Sequence, residues 1–258
     1  MSQYKPQFVM TDKIHLLKSQ IIKREKAELR KTIGTPLTNI HPMQQMFHNA
    51  RIRAAYSTLA IEKQSPLTLE QVTDIIEGKD GAYGTPSEIC AVKNAYEAYS
   101  LMHTPNPIDP FSTADMLYIH RLFMTGLTKE AGCFRFGSGK PVLRDVDNLM
   151  EWVKTKTDDE YCLVKSCVFH YKFMTTIRPF EEGNGLVARM WQNLLLAQRP
   201  QVLGSRRIPI MDFMLERRQE YYDVLAMPDK AVGSVVFVEY MLQMIRDALC
   251  EFYKDPYG

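Results

Sequence analysis

No stretch of this sequence approaches the run of about 20 apolar residues that a helix needs to cross a bilayer. Its first residues, MSQYKPQFVMTDK, lack the apolar core of a secretory signal. These absences point away from a membrane or secreted protein and toward the cytoplasm. Metal-ligand spacing is missing too, because the six histidines are scattered. The five cysteines, Cys90, Cys133, Cys162, Cys167 and Cys250, form no CxxC pair and are odd in number. They are expected to be reduced, mostly buried thiols. Neither sign of charge is in excess: 32 basic against 30 acidic residues leave a net charge of +2. A bulk electrostatic case for nucleic acid is therefore absent. No repeat and no low-complexity tract occurs. What remains is 258 residues with 45% hydrophobic content, enough for a folded core.

Most of that content recurs at helical spacing. TDKIHLLKSQIIKREKAELRKTI has Thr11 or Asp12 as N-cap and an apolar stripe of Ile14, Leu17 and Ile21. Its basic face (Lys18, Lys23, Arg24, Lys26, Arg30, Lys31), interleaved with Glu25 and Glu28, reads as a solvated helix surface. GTPL marks a boundary before a helix through about 42–62, and SPLTLEQVTDIIEGK carries a capping box at Thr68 and Gln71. TPSEICAVKNAYEAYSLMH and STADMLYIHRLFMTGL are further helices, the latter capped at Ser112 or Thr113. CFRFGSGKPVL breaks the rhythm as two short extended pieces around Gly137-Ser138-Gly139, a small hairpin. DVDNLMEWVKTK, DDEYCLVKSCVFHYKFMTTI and GLVARMWQNLLLAQ are helical, and 209–254 supplies two helices separated by AMPDKAVG. The fold class is all-α with one hairpin.

Chemistry concentrates in HYKFMTTIRPFEEGNGLVARMWQNLLL, residues 170–196. Successive backbone N–H groups in Gly183-Asn184-Gly185 can converge on an anion, and the following helix adds its positive dipole end. Arg189 lies one helical turn past Gly185, and helical side chains lean toward the N-terminus, so its guanidinium reaches back to a phosphate held there. Glu182 stands at the rim, where a carboxylate can hold a Mg²⁺ that bridges phosphate oxygens. The same spacing also suits a plain loop with a glycine cap.

The segment Arg178-Pro179-Phe180-Glu181-Glu182-Gly183-Asn184-Gly185-Leu186-Val187-Ala188-Arg189 resembles the signature of the Fic (Fido-fold) family, HxFx(D/E)GNGRxxR. VFHYKFMTTIRPF is similar to the helix before that motif, and LYIHRLFMTGLTKEAGCFRFG to the helix that runs into the G-x-F-R opening the family's flap. LEQVTDIIEG and EICAVKNAYEAY resemble the preceding helices, so the likeness runs through roughly residues 40–197. The resemblance implies a helical core with a β-hairpin flap, and transfer of AMP from ATP, with Mg²⁺, to a hydroxyl of a target protein. Position by position, it implies metal holding by Glu182, a phosphate nest at Gly183, Asn184 and Gly185, and a phosphate grip by Arg189. It implies a flap built from Phe134, Arg135 and Phe136 with Pro141, Val142 and Leu143, which aligns a strand of the target. Thr58-Leu59-Ala60-Ile61-Glu62-Lys63 resembles the family's inhibitory helix, (S/T)xxxE(G/N), whose glutamate pairs with the motif's second arginine. Thr58 and Glu62 are then the inhibitory residues and Arg189 their partner, with Lys63 departing from the pattern.

Two further departures fall inside the motif. The family's general base is a histidine at the position of Arg178, and a guanidinium, with a pKa above about 12 and donors only, accepts no proton at neutral pH. Leu186 replaces the motif's first arginine. Arg178 either returns charge to the phosphates or holds the loop, through Glu181 or through backbone. His170, two turns upstream, fits a structural hydrogen bond better than a substitute base, and Glu181 occupies a position where the motif tolerates many residues.

These readings divide the chain into a basic helical extension (1–36), a Fic-like core with inhibitory helix (about 50–63) and flap (133–143) spanning 37–200, and a helical extension (201–258). The leading functional expectation is a protein that binds ATP with Mg²⁺ and transfers AMP poorly. The alternatives are a transferase with a different base or donor, and a helical interaction module without ligand. A target protein at the flap is the implied partner, no membrane is expected, and self-association stays open. No basic recognition helix for nucleic acid stands out.

Overall fold

The computed structural model describes residues 6, 8–32, 40–63, 65–79, 84–103, 108–136, 142–155, 159–198, 210–228 and 230–253. Helical periodicity is realised there as α1 (Asp12–Thr32), α2 (Ile40–Glu62), α3 (Leu69–Glu77), α4 (Pro86–Ser100), α5 (Thr113–Met124) and α6 (Val142–Lys154). They are followed by α7 (Asp159–Lys172), α8 (Asn184–Leu196), α9 (Ile210–Glu216), α10 (Arg218–Leu225) and α11 (Lys230–Phe252). No strand occurs among the described residues. Capping sets several boundaries. Thr68 Oγ1 accepts the Gln71 N–H while Gln71 Oε1 accepts the Thr68 N–H, and Gly78, at φ 69°, closes α3. A second box, Thr85 with Glu88, opens α4 behind Pro86. Ser112 is the N-cap of α5.

α8 is the centre. Of its 13 residues only Asn193 is not buried, and the Trp191 indole N–H is satisfied by the Pro110 carbonyl at 3.0 Å. A helix buried on every side must find its neighbours all round, and α7, α5 and α2 provide them. α11 lies against α7, α1 against α11, and α9 and α4 against α2. The framework therefore holds the N-terminus of α8 and the C-terminus of α2 together.

Four expectations need correction. Glu25 and Glu28 are buried, not part of a solvated face, because they continue the stripe of Ile14, Leu17 and Ile21 at spacings of three and four. Arg24 pairs with Glu28 at 3.2 Å, as a buried carboxylate requires. Val142 and Leu143 form the first turn of α6 and not a flap strand: Val142, Val146, Leu149, Met150 and Val153 recur at helical spacing and are all buried. Residues 137–141, the expected hairpin turn with Pro141, lie outside the described residues. The 209–254 segment holds three helices, not two, since Arg217 leaves helical geometry (φ −108°, ψ 36°) between α9 and α10. Of the five thiols only Cys167 is buried, whereas Cys133, in the turn after Gly132, and Cys250, on the outer side of α11, are exposed. All five are free.

Candidate functional site

The path into the site begins where α7 tightens its hold on the core. His170 is wholly buried; its Nδ1 lies 2.6 Å from Gln192 Oε1 and its Nε2 2.9 Å from the Tyr221 hydroxyl. The carbonyl oxygen requires a donor, so Nδ1 carries the proton and Nε2 accepts from the phenol. Burial pushes its pKa down to about 3. His170 is a structural residue, away from solvent, and not a base.

After Lys172 the helix widens into a π-turn, Phe173–Ile177, closed by the Arg178 N–H on the Phe173 carbonyl at 2.9 Å. Such a turn holds one more residue than an α-turn and recurs at functional sites. Arg178 follows in the left-handed region (φ 43°, ψ 65°) with an exposed side chain. It forms no ion pair with Glu181 among the described residues. Its backbone is held instead. Arg135 binds three consecutive carbonyls: its side chain donates from Nη2 to Ile177 (3.1 Å) and from Nε to Arg178 (2.6 Å), and its own N–H to Pro179 (2.9 Å).

The loop then folds over an aromatic stack. Phe180 lies face to face with His120, ring centroids 3.7 Å apart, and Phe134 covers it at 5.5 Å. Asn184 turns its side chain back, accepting the Phe180 N–H and donating to the Phe180 carbonyl. His120 Nδ1 accepts the Gly132 N–H at 3.0 Å and Nε2 donates to the Glu182 carbonyl at 3.1 Å, which fixes the neutral tautomer. Burial pushes its pKa down to about 4. A folded pKa below the ordinary 6.5 means that the unfolded chain takes up the proton first as pH falls. Stability is therefore expected to be full above pH 6.5 and to decline through the window down to about 4, with His170 extending the decline. Thermal unfolding at stepped pH checks this, and His120→Gln, which cannot be protonated there, should flatten the decline.

Gly183, at φ 75°, is the N-cap of α8, and a Cβ there would lie 2.9 Å from Met124 Sδ. The first intrahelical bond is Val187 N–H to the Gly183 carbonyl. The amides of Asn184, Gly185 and Leu186 come before it and have no helical acceptor. An acidic group occupies this end of the helix. The Glu62 carboxylate packs directly on Gly185, so closely that a Cβ would collide with it.

Glu62 Oε1 also lies 2.8 Å from Arg189 Nη1, an ion pair whose N–H is not aimed at the oxygen. Arg189 is completely buried along its side chain; Nε donates to Thr58 Oγ1 (2.9 Å) and Nη2 to the Thr58 carbonyl (3.2 Å). Thr58 and Glu62 are four residues apart and share one face of α2, which is why both reach one guanidinium. Burial opposes the charge of Arg189, yet the Glu62 carboxylate and the neighbouring tyrosines outweigh it and keep the pKa above its ordinary value.

Glu182 is exposed at the rim and, among the described residues, has no ion-pair partner. Glu181 is exposed beside it. Leu186 is buried and belongs to the core. Phe136 is 83% exposed, and Leu143 is exposed on α6. The structure thus brings Thr58, Glu62, Gly183, Gly185 and Arg189 together and sets Arg178 and Glu182 on the exposed loop. It turns the Asn184 side chain to the loop itself and leaves Val142 and Leu143 outside any strand. The parts with no motif of their own are the π-turn, Arg218 and Tyr222. His120 and Arg135 stood inside quoted segments with nothing to mark their hydrogen bonds.

Comparison with known proteins gives one family and several related folds. The Fic/DOC family model matches residues 110–196. A Fic family protein from Desulfovibrio desulfuricans is 32% identical, with a TM-score of 0.82 covering 99% of this chain and 78% of that one. Fic-1 from C. elegans shares the fold at 20% identity, with a TM-score of 0.70 over 93% of this chain and 72% of its own. A Fic domain containing signalling protein from Bacteroides thetaiotaomicron does so at 15% identity, with a TM-score of 0.64 over 93% and 95%.

Proposed function

The chain belongs to the Fic/DOC family, and from that membership we propose that it binds ATP with Mg²⁺ at the N-terminus of α8 and transfers AMP to protein hydroxyls weakly or not at all. One observation carries the binding half: a carboxylate already lies against Gly185 and Arg189. The place that receives this acidic group offers three amides without helical acceptors, the positive end of α8 and a buried guanidinium. A terminal phosphate has the same demands.

Residue roles follow from position. Arg189 holds phosphate oxygens, and the amides following Gly183 share the remaining charge. Glu182 would hold Mg²⁺, since its carboxylate is exposed and carries no ion pair among the described residues. Bound there, the ion neutralises phosphate charge. Among the described residues no group of three His, Cys, Asp or Glu could hold a metal ion, so Glu182 would hold the ion together with its nucleotide and not as part of a separate protein cage. Glu62 is a brake, because it occupies the anion position and engages the arginine that a terminal phosphate needs.

Transfer is the weaker half. The hydroxyl of a target must lose its proton as it attacks phosphorus, and the exposed group at the base position is the Arg178 guanidinium, which cannot take it. A protein target would approach past the exposed Phe136 and Leu143. No helix among the described residues is long and apolar enough to cross a membrane.

Calorimetric titration of ATP with Mg²⁺ into the Glu62→Gly protein is the test. Saturable one-to-one binding, tighter than in the wild type, is expected. Absence of heat, confirmed by absence of a thermal shift, would sink the nucleotide reading and leave a helical interaction module.

A further inference from the structure

The helix that carries Glu62 is gripped from two sides. Toward the core, Thr58 and Glu62 engage Arg189. From a neighbouring face, α9 and α10 hold α2 at two levels. Asp212 of α9 accepts from Ser57 Oγ at 2.5 Å and from Arg53 Nε at 2.9 Å, with Arg53 Nη2 at 2.6 Å. One turn farther on, Arg218 Nε donates to the Ile61 carbonyl at 2.6 Å, and the Tyr222 hydroxyl reaches the same carbonyl at 3.1 Å. Tyr222 also stands 3.5 Å from Glu62 Oε1. The Arg218 guanidinium lies 4.6 Å from the Tyr222 ring centroid, so each side chain holds the other in place.

The Ile61 carbonyl is one of the last four in α2 and lacks a helical donor. An arginine on such a carbonyl is a C-terminal cap. Immediately after it the chain leaves the helix through Lys63 at φ 55°, an uncommon conformation for a side chain branching from Cβ-bearing backbone. The last turn of α2 therefore keeps its form through contacts from α10, and Glu62 rides on that turn.

We infer that Arg218 and Tyr222 are positioning residues for the Glu62 carboxylate, so that α10 sets how firmly the acidic group stays over Gly185 and how hard a nucleotide must compete for the place. This rests on the reading of Glu62 as occupant of the phosphate site. It assigns α10, which lies outside the motif, a share in the same control.

The test uses Tyr222→Phe, which removes only the hydroxyl, and Arg218→Met, which keeps the apolar stem. Each is made in the wild type and in Glu62→Gly, and ATP with Mg²⁺ is titrated into all of them. In the wild type Tyr222→Phe is expected to tighten binding about fivefold and Arg218→Met about tenfold, the ratios for losing one neutral and one charged hydrogen bond. In Glu62→Gly the same changes should shift affinity less than about twofold, since their route of action is gone. Equal gains in both backgrounds would overturn the inference, as would no gain in the wild type when Glu62→Gly itself gains.

A second readout needs no nucleotide. Amide hydrogen exchange at Ala60–Lys63 should quicken in Tyr222→Phe and Arg218→Met, and unchanged exchange there overturns the positioning role whatever ATP does. Quicker exchange without any ATP binding in Glu62→Gly would sustain the role of α10 and reject the nucleotide reading instead.

Discussion

Histidine in place of Arg178, made together with Glu62→Gly, is expected to raise AMP transfer by about 10²–10⁴-fold, the usual contribution of general-base catalysis. The backbone is ready for the exchange. Position 178 sits at φ 43°, ψ 65°, and histidine is among the residues enriched in that region. Its N–H is held by the Phe173 carbonyl and its carbonyl by Arg135, so neither tie depends on the side chain. The side chain itself is exposed, and no ion pair with Glu181 is lost. An imidazole with an ordinary pKa of about 6.5 is largely neutral at pH 7.5 and ready to accept a proton. The measurement is labelled AMP transferred from ATP to proteins of a lysate, with Glu182→Ala in the same background as the control that should lose it. Normal ATP binding with no gain in label would mean that the missing base is not what limits transfer, and would turn attention to Leu186.

The second large effect belongs to Arg189→Ala. This side chain is fully buried and serves Thr58 twice and Glu62 once. Its removal leaves two Thr58 oxygens without their donor, a carboxylate without its cation and a cavity beside α8. Deleting one partner of a buried pair costs about 3–5 kcal/mol; with the Glu62 side chain 21% exposed, the loss is expected near the lower end of that range, still a large share of total stability for a domain of this size. Chemical denaturation should show that loss. ATP binding should fall by about 10–100-fold, since charge-assisted hydrogen bonds to phosphate are each worth about 1.5–3 kcal/mol. Arg189→Lys separates the two effects: it keeps the charge and most of the volume while losing the fork, so it should fold better than alanine and still bind ATP poorly. ATP affinity unchanged in a folded Arg189→Ala protein would remove the phosphate site from the N-terminus of α8.

Local rules made much of the fold readable. Apolar spacing announces α1, α5 and α8, and Thr68 with Gln71 announces α3, because both signals lie within one or two turns of chain. The Glu62–Arg189 pairing was readable for another reason: Thr58 and Glu62 at a spacing of four, and Arg189 four after Gly185, are each one-turn patterns that match a known family. Failures came where a short pattern has two physical outcomes. Val142 and Leu143, coming just after Gly137-Ser138-Gly139, read as a short extended piece, and only the continuation through Val146, Leu149 and Met150 makes them helical. Glu25 and Glu28 are charged and so read as exposed, although their spacing places them on the buried stripe. Arg135 was marked by the G-x-F-R likeness but not for the bonds it makes, and Arg218 and Tyr222 had no local signal at all. Arg135 acts across 42–44 positions and Arg218 across 157, and hydrogen bonds to backbone carbonyls leave no trace in residue type.

The three carbonyls bound by Arg135 have a consequence for how such a protein can change. Gly132, Phe134 and Arg135 are tied to His120, Phe180 and the 177–179 carbonyls from inside the fold. Phe136, 83% exposed just past the last of these ties, is therefore open to substitution without disturbing the loop that presents residue 178. A change at Phe136 and a change at residue 178 can therefore be acquired, or lost, separately.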